Sequence, residues 1–88
     1  MQIFIDDDAG YQQWLIDHPD GYVLNTTRGP TNKTPTMLHR APCAHIAEPG
    51  LKYTSGPYYK VCAVERDHLI VWSRTQPRRL TICSHCMP

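Results

Sequence analysis

Long apolar runs are missing from this chain. No stretch approaches the roughly 18 apolar residues that a membrane-spanning helix needs, which leaves no expectation of a membrane-embedded protein. A secretory leader is not expected either: Met-Gln-Ile-Phe-Ile-Asp-Asp-Asp turns acidic where such a signal carries a basic start and a long apolar segment. The expectation is therefore a cytoplasmic chain. Lys and Arg are absent from residues 1–20. No HExxH, GxSxG or phosphate-loop pattern occurs, so no reaction and no small-molecule substrate is indicated. Internal repeats, low-complexity tracts and interdomain linkers are lacking as well, and residues 1–88 read as a single zinc-binding domain.

What remains is a short chain with enough apolar residues for one core. The 41% apolar content argues against disorder, but 88 residues bury only a modest share of their surface. A domain of this size commonly relies on a disulfide or a structural metal. Disulfides do not persist in a reducing compartment, so the four cysteines need another explanation: metal ligands, catalytic thiols or buried apolar residues. Eight prolines and five glycines favour short elements joined by tight turns. The net charge of +1 hides a segregation: residues 1–20 carry −5, and residues 21–88 carry nine basic residues against three acids, or +6. A basic segment of that kind is compatible with a polyanionic partner, and equally with an ordinary solvated surface.

Ile3 and Ile5 recur with a period of two and fit a short first strand. Asp8 is the expected N-cap of a helix over residues 9–17, whose Tyr11, Trp14 and Leu15 form one apolar stripe. Strands are expected at 22–26, 36–38 and 58–63, a second helix at 65–73 with Leu69, Ile70 and Trp72 inward, and an extended piece at 80–82. The polar stretches 28–35 and 48–57 read as loops. The expected fold class is α+β: a small zinc-stabilised domain with a short mixed or antiparallel sheet, two helices and a C-terminal CxxC knuckle.

Two ligand pairs carry the chemistry. His39-Arg-Ala-Pro-Cys43 sets an imidazole and a thiol four apart on a turn, and Cys83-Ser-His-Cys86 is a CxxC knuckle whose bend converges two thiolates. Together His39, Cys43, Cys83 and Cys86 supply the four donors of a tetrahedral structural Zn2+ site, joining the middle of the chain to its far end. Soft thiolates select zinc over magnesium or calcium, although iron could enter the same site in an expression host. The alternatives are a redox pair at Cys83 and Cys86, and a ligand set in which Cys62, His45 or His85 replaces one of the four. Cys62, within Tyr-Tyr-Lys-Val-Cys-Ala-Val, otherwise reads as a small core hydrophobe. His18 and His68 read as surface or capping residues, and Trp14 and Trp72 as core. With four ligands and no acid adjacent to either pair, a structural site is expected and no enzyme activity is implied.

The C-terminal 50 or so residues resemble the zinc-binding domain of the Ada methylphosphotriester repair proteins, with HxxxC and CxxC on that family's four ligand positions. That family's methyl acceptor is a cysteine at the position held here by His39, so the resemblance does not extend to repair activity. Nearly the whole chain also resembles the N-terminal head domain of ScoMcrA-like modification-dependent restriction endonucleases. The likeness rests on Trp14-Leu-x-x-His-Pro-x-Gly-Tyr-Val-Leu-Asn25, Leu38-His-Arg-Ala-x-Cys43, Lys60-Val-Cys62 and the terminal Cys-x-x-Cys-x-Pro. It carries the head without the nuclease. Both resemblances imply a DNA-associated accessory role, with DNA or a partner enzyme encoded nearby as the partner. The basic residues expected to meet phosphate are Arg28, Lys33, Arg40, Arg78 and Arg79. The competing expectation is a zinc-stabilised protein-interaction or oligomerisation module without nucleic-acid binding.

Overall fold

The computed structural model describes residues 1–28, 36–43, 46, 53–76 and 79–86. The fold is α+β. Among the described residues, five strands form one mixed sheet: β1 (Gln2–Phe4), β2 (Tyr22–Thr27), β3 (Thr36–Arg40), β4 (Tyr58–Ala63) and β5 (Leu80–Ile82), in the order β1-β4-β2-β3-β5. All neighbours are antiparallel except β3 and β5, which run parallel. Helix α1 (Asp8–Asp17) follows β1, and helix α2 (Arg66–Ser73) follows β4.

Both faces of the sheet are covered, because its central strands carry apolar residues at consecutive positions. Val23 and Cys62 point to the face where Phe4, Tyr11, Trp14 and Leu15 pack. Leu24, Leu38, Val61 and Ala63 point to the other, where Leu69 and Trp72 of α2 cover them. The stripe of Tyr11, Trp14 and Leu15 is the buried side of α1, as its spacing predicts. In α2, Leu69 is fully buried and Trp72 packs on the sheet, while Ile70 is half-buried.

Two local expectations are corrected. Asp7, not Asp8, caps α1, its carboxylate accepting from the Gly10 N–H at 2.9 Å. Asp8 is instead the first helical residue, and its carboxylate serves the 53–55 segment described below. In β1 the buried residue is Phe4, whereas Ile3 and Ile5 stay about half exposed. Ile-Phe-Ile is apolar on both faces of a strand, so alternation alone does not choose the inner one, and α2 does not reach far enough to cover the edge strand.

Candidate metal centre

The parallel pairing of β3 with β5 builds the site. Parallel strands end on the same side of a sheet, so the residues that follow them meet. Leu38 pairs with Ile82, and the Cys83 N–H donates to the Leu38 carbonyl at 2.9 Å, placing Cys83 beside His39. An antiparallel β5 would have sent the CxxC to the opposite end. His39 lies opposite Val23 and so faces the α1 side. Beyond Arg40 the chain turns at Ala41 and Pro42, held by Ala41 N–H to the Gly21 carbonyl at 2.9 Å and Cys43 N–H to the Arg40 carbonyl at 3.1 Å. This turn brings Cys43 back over the strand end. Gly21 is required there by packing: a Cβ would lie 2.6 Å from the Trp14 ring and 3.2 Å from the His18 carbonyl.

The Nδ1/Nε2 and Sγ donor atoms of His39, Cys43, Cys83 and Cys86 all lie within 4.8 Å of one another. His39, Cys43 and Cys83 are buried, and Cys86 is half-buried at the rim. With zinc–sulfur bonds of about 2.3 Å, the sulfur–sulfur edge of a tetrahedral site is about 3.8 Å, so these side chains need little rearrangement to hold an ion. Three thiols and an imidazole form the donor set of a structural site, and the arrangement could bind a metal ion. All four cysteines are thiols, with no disulfide among the described residues.

The knuckle already favours thiolate. Burial raises the Cys83 thiol, but the backbone N–H groups of Cys86 and His85, with the Cys86 and Cys43 side chains, outweigh it and leave Cys83 below the ordinary thiol range. Across the site the Arg40 N–H donates to the Cys86 Sγ at 3.4 Å. Cys62 is elsewhere: fully buried in the apolar core under α1, its thiol is pushed up to about 12 by burial, against the opposing charges of Lys60 and the amino terminus. His85 is exposed on the knuckle. His18 caps α1 and stacks on Trp14 at 4.4 Å, and exposed His68 lies 3.4 Å from Glu65. His45, like Lys33 and Arg78, lies outside the described residues.

Arg28, Arg40 and Arg79, the described residues among those expected to meet phosphate, are not gathered on one patch. Arg40 is exposed at the metal end of the sheet, beside a concavity formed with Pro19, Asp20, Gly21, Tyr22 and Pro42. Arg79 is exposed before β5, its carbonyl accepting from Thr36 N–H at the opposite end. Arg28, just past the end of β2, is also at that opposite end, about 20 Å along the strand from the Arg40 pairing. Its guanidinium is engaged within the protein, donating to both Asp6 carboxylate oxygens (2.8 and 3.2 Å), to the Gly56 carbonyl at 2.7 Å and to the Thr54 carbonyl.

A second polar constellation was not anticipated. Lys60 is buried in β4, its Nζ donating to Asn25 Oδ1 at 2.7 Å and to the Tyr53 carbonyl at 2.8 Å. The available signal was a lysine at an interior position of an otherwise apolar strand, a placement that needs partners when it is buried. No helix among the described residues is long and apolar enough to cross a membrane. Comparison with family models, curated proteins and solved structures returns no match to this chain.

Proposed function

We propose that this chain is a zinc-stabilised structural module that serves as a DNA-associated accessory domain. The observation that carries the reading is the convergence of one imidazole and three thiols from two distant chain segments within 4.8 Å. That donor set suits zinc, and four protein ligands leave no position for a reacting water. Zinc, when bound, supplies a crosslink between the β3 turn and the C-terminal knuckle. The residues themselves do the rest: the parallel strand pair aligns His39 and Cys83, the Gly21 contact seats the turn, and the Cys86 and His85 amides hold the Cys83 thiolate.

The DNA reading is supported by the two resemblances and by Arg40, exposed next to a ligand and beside the knuckle. Phosphate contact at this end would use the Arg40 guanidinium, since the Cys86 and His85 amides are occupied by Cys83. Metal analysis of the purified full chain should find zinc equimolar with protein, and Cys43→Ser and Cys83→Ser should lose it while Cys62→Ser retains it. Titration with duplex DNA should show affinity falling with salt at a logarithmic slope of about −0.9 per phosphate neutralised, and Arg40→Ala should flatten that slope. Binding indifferent to salt would remove the phosphate model.

One observation favours a protein-interaction module instead. Ile3 and Ile5 are about half exposed along the sheet edge, and Val71 is exposed on α2. A concentration-dependent increase in mass by light scattering, abolished by Ile3→Lys, would support that reading over DNA contact.

A further inference from the structure

The Lys60 constellation opens onto a cavity of about 240 Å³ whose walls include Asn25, Ile46, Tyr53, Pro57 and Tyr58. A buried ammonium is costly unless its charge is answered. Here it meets two carbonyl-type acceptors and the faces of Tyr53, Tyr58 and Tyr11 at 5.5–5.9 Å, while no carboxylate among the described residues is ion-paired with it. Burial holds the amine down at about 8, against the opposing influence of Cys62 and Asp8. Among the described residues, Nζ has two oxygen acceptors for its three N–H groups. Asn25 has its oxygen taken by Lys60, so what the amide still offers is donors.

The cavity wall is fixed in advance. Asp8 Oδ1 accepts from the N–H groups of Tyr53 and Thr54 and from the Thr54 hydroxyl, and Oδ2 accepts from the Ser55 hydroxyl. Arg28 holds the Gly56 and Thr54 carbonyls from the other side. A wall so pinned loses little freedom when a ligand enters.

We propose that this cavity binds a single-ring organic carboxylate, its ring against Tyr53 and Tyr58 and its two oxygens on the Lys60 ammonium and the Asn25 amide. The volume lies below the roughly 300–1,000 Å³ of drug-sized sites, which limits the occupant to one ring. Tyrosine faces suit a flat apolar body, and two neighbouring donors suit the two oxygens of a carboxylate. Phosphate, with more acceptors and no apolar surface, matches the lining poorly. The proposal is independent of the metal and of DNA.

The test is a proton–nitrogen NMR titration of the metal-loaded full chain with benzoate, with its neutral isostere benzamide and with inorganic phosphate. Benzoate should shift the amides of Asn25, Tyr53, Tyr58 and Lys60 saturably and bind about tenfold more tightly than benzamide, the factor carried by a charge-assisted pair. Phosphate should not displace it. Lys60→Met should erase the preference for benzoate. Tyr58→Ala, at an exposed position at the start of β4, should weaken both organic probes together, and decides the matter should Lys60→Met fail to fold. Equal binding of benzoate and benzamide, displacement by phosphate, or shifts clustered away from β4 overturns the proposal. So does an absence of saturable shifts at millimolar benzoate.

Discussion

The two ends of the sheet are closed by different chemistries. At the end marked by Tyr22 and Arg40, three buried donor residues and one at the rim converge and call for an ion. At the end marked by Thr27 and Tyr58, the 53–57 segment is tied to α1 and β2 by groups the protein supplies itself: the Asp8 carboxylate with its four donors, and Arg28 with Asp6 and two carbonyls. Both devices connect segments far apart in sequence, which is where a crosslink restricts the unfolded chain most. They differ in what they depend on. The first would be conditional on a metal and on deprotonated thiols; the second needs no ligand, and its carboxylates and exposed ion pair answer to pH and ionic strength. An 88-residue chain with a two-sided core of modest size has room for both devices, one at each end of its sheet.

Removing the metal-end clamp should have the largest effect. Structural zinc contributes on the order of 10–16 kcal/mol in small domains, as much as or more than the roughly 5–15 kcal/mol of a typical folded domain. Chelation, or Cys83→Ser, should therefore abolish the cooperative thermal transition followed by circular dichroism. If the apo chain instead kept dispersed amide signals for Asp8 and Thr54, the polar end would be an independent folding unit, and the comparison would break.

The polar end is tested next by Asp8. Burial raises this carboxyl, but bonds from Ser55 and Thr54 hydroxyls and from the Thr54 and Tyr53 amides outweigh it and hold it at about 2, below its ordinary 3.8. Its folded value is depressed, so its stabilisation is fully present above pH 3.8 and is lost as pH falls towards 2. With partial exposure allowed for, the titration term is about 1–2 kcal/mol. Asp8→Ala also leaves amide donors without their acceptor, for a total loss of about 2 kcal/mol in urea unfolding at pH 6. Metal content should be unchanged. The gap between the native chain and Asp8→Asn should narrow from pH 5 to pH 3; a gap constant with pH would mean that the carboxylate's charge contributes nothing.

Cys62 sharpens the metal side of the comparison, since it is a thiol that belongs to neither clamp. Cys62→Ser puts a hydroxyl into the apolar layer beneath α1 and should cost about 1–2 kcal/mol with zinc retained. Loss of zinc in this variant would place Cys62 in the ligand set.

The metal end was legible in the chain because its information is local. HxxxC and CxxC each declare a convergent pair over four or five residues, and the α1 stripe does the same through helical spacing. The polar end was not legible, for two physical reasons. Asp7 and Asp8 are both competent caps, and which of them turns away from the helix is decided by the 53–55 segment, 45–47 residues distant. Arg28 sits in a polar stretch with nothing local to separate a phosphate ligand from an internal strut. The parallel pairing of β5 with β3, which makes the metal site, also lies beyond any local pattern.

Arg28 gives the smallest effect and divides the polar clamp into its parts. Its ion pair with Asp6 is exposed and therefore screened by salt, whereas its bonds to the Gly56 and Thr54 carbonyls are less so. Asp6 occupies the left-handed region, φ 54°, which asparagine also tolerates, so Asp6→Asn removes the charge without straining the backbone. Melting temperatures at low and high salt should show Asp6→Asn slightly destabilised and no longer salt-dependent through this pair. Arg28→Ala should fall somewhat further, because the Gly56 carbonyl loses its donor and the Thr54 carbonyl keeps only the Asp6 N–H. If the two variants melt together, the guanidinium contacts to the carbonyls contribute nothing, and the side-chain hold on the 53–57 wall falls to Asp8 and Lys60.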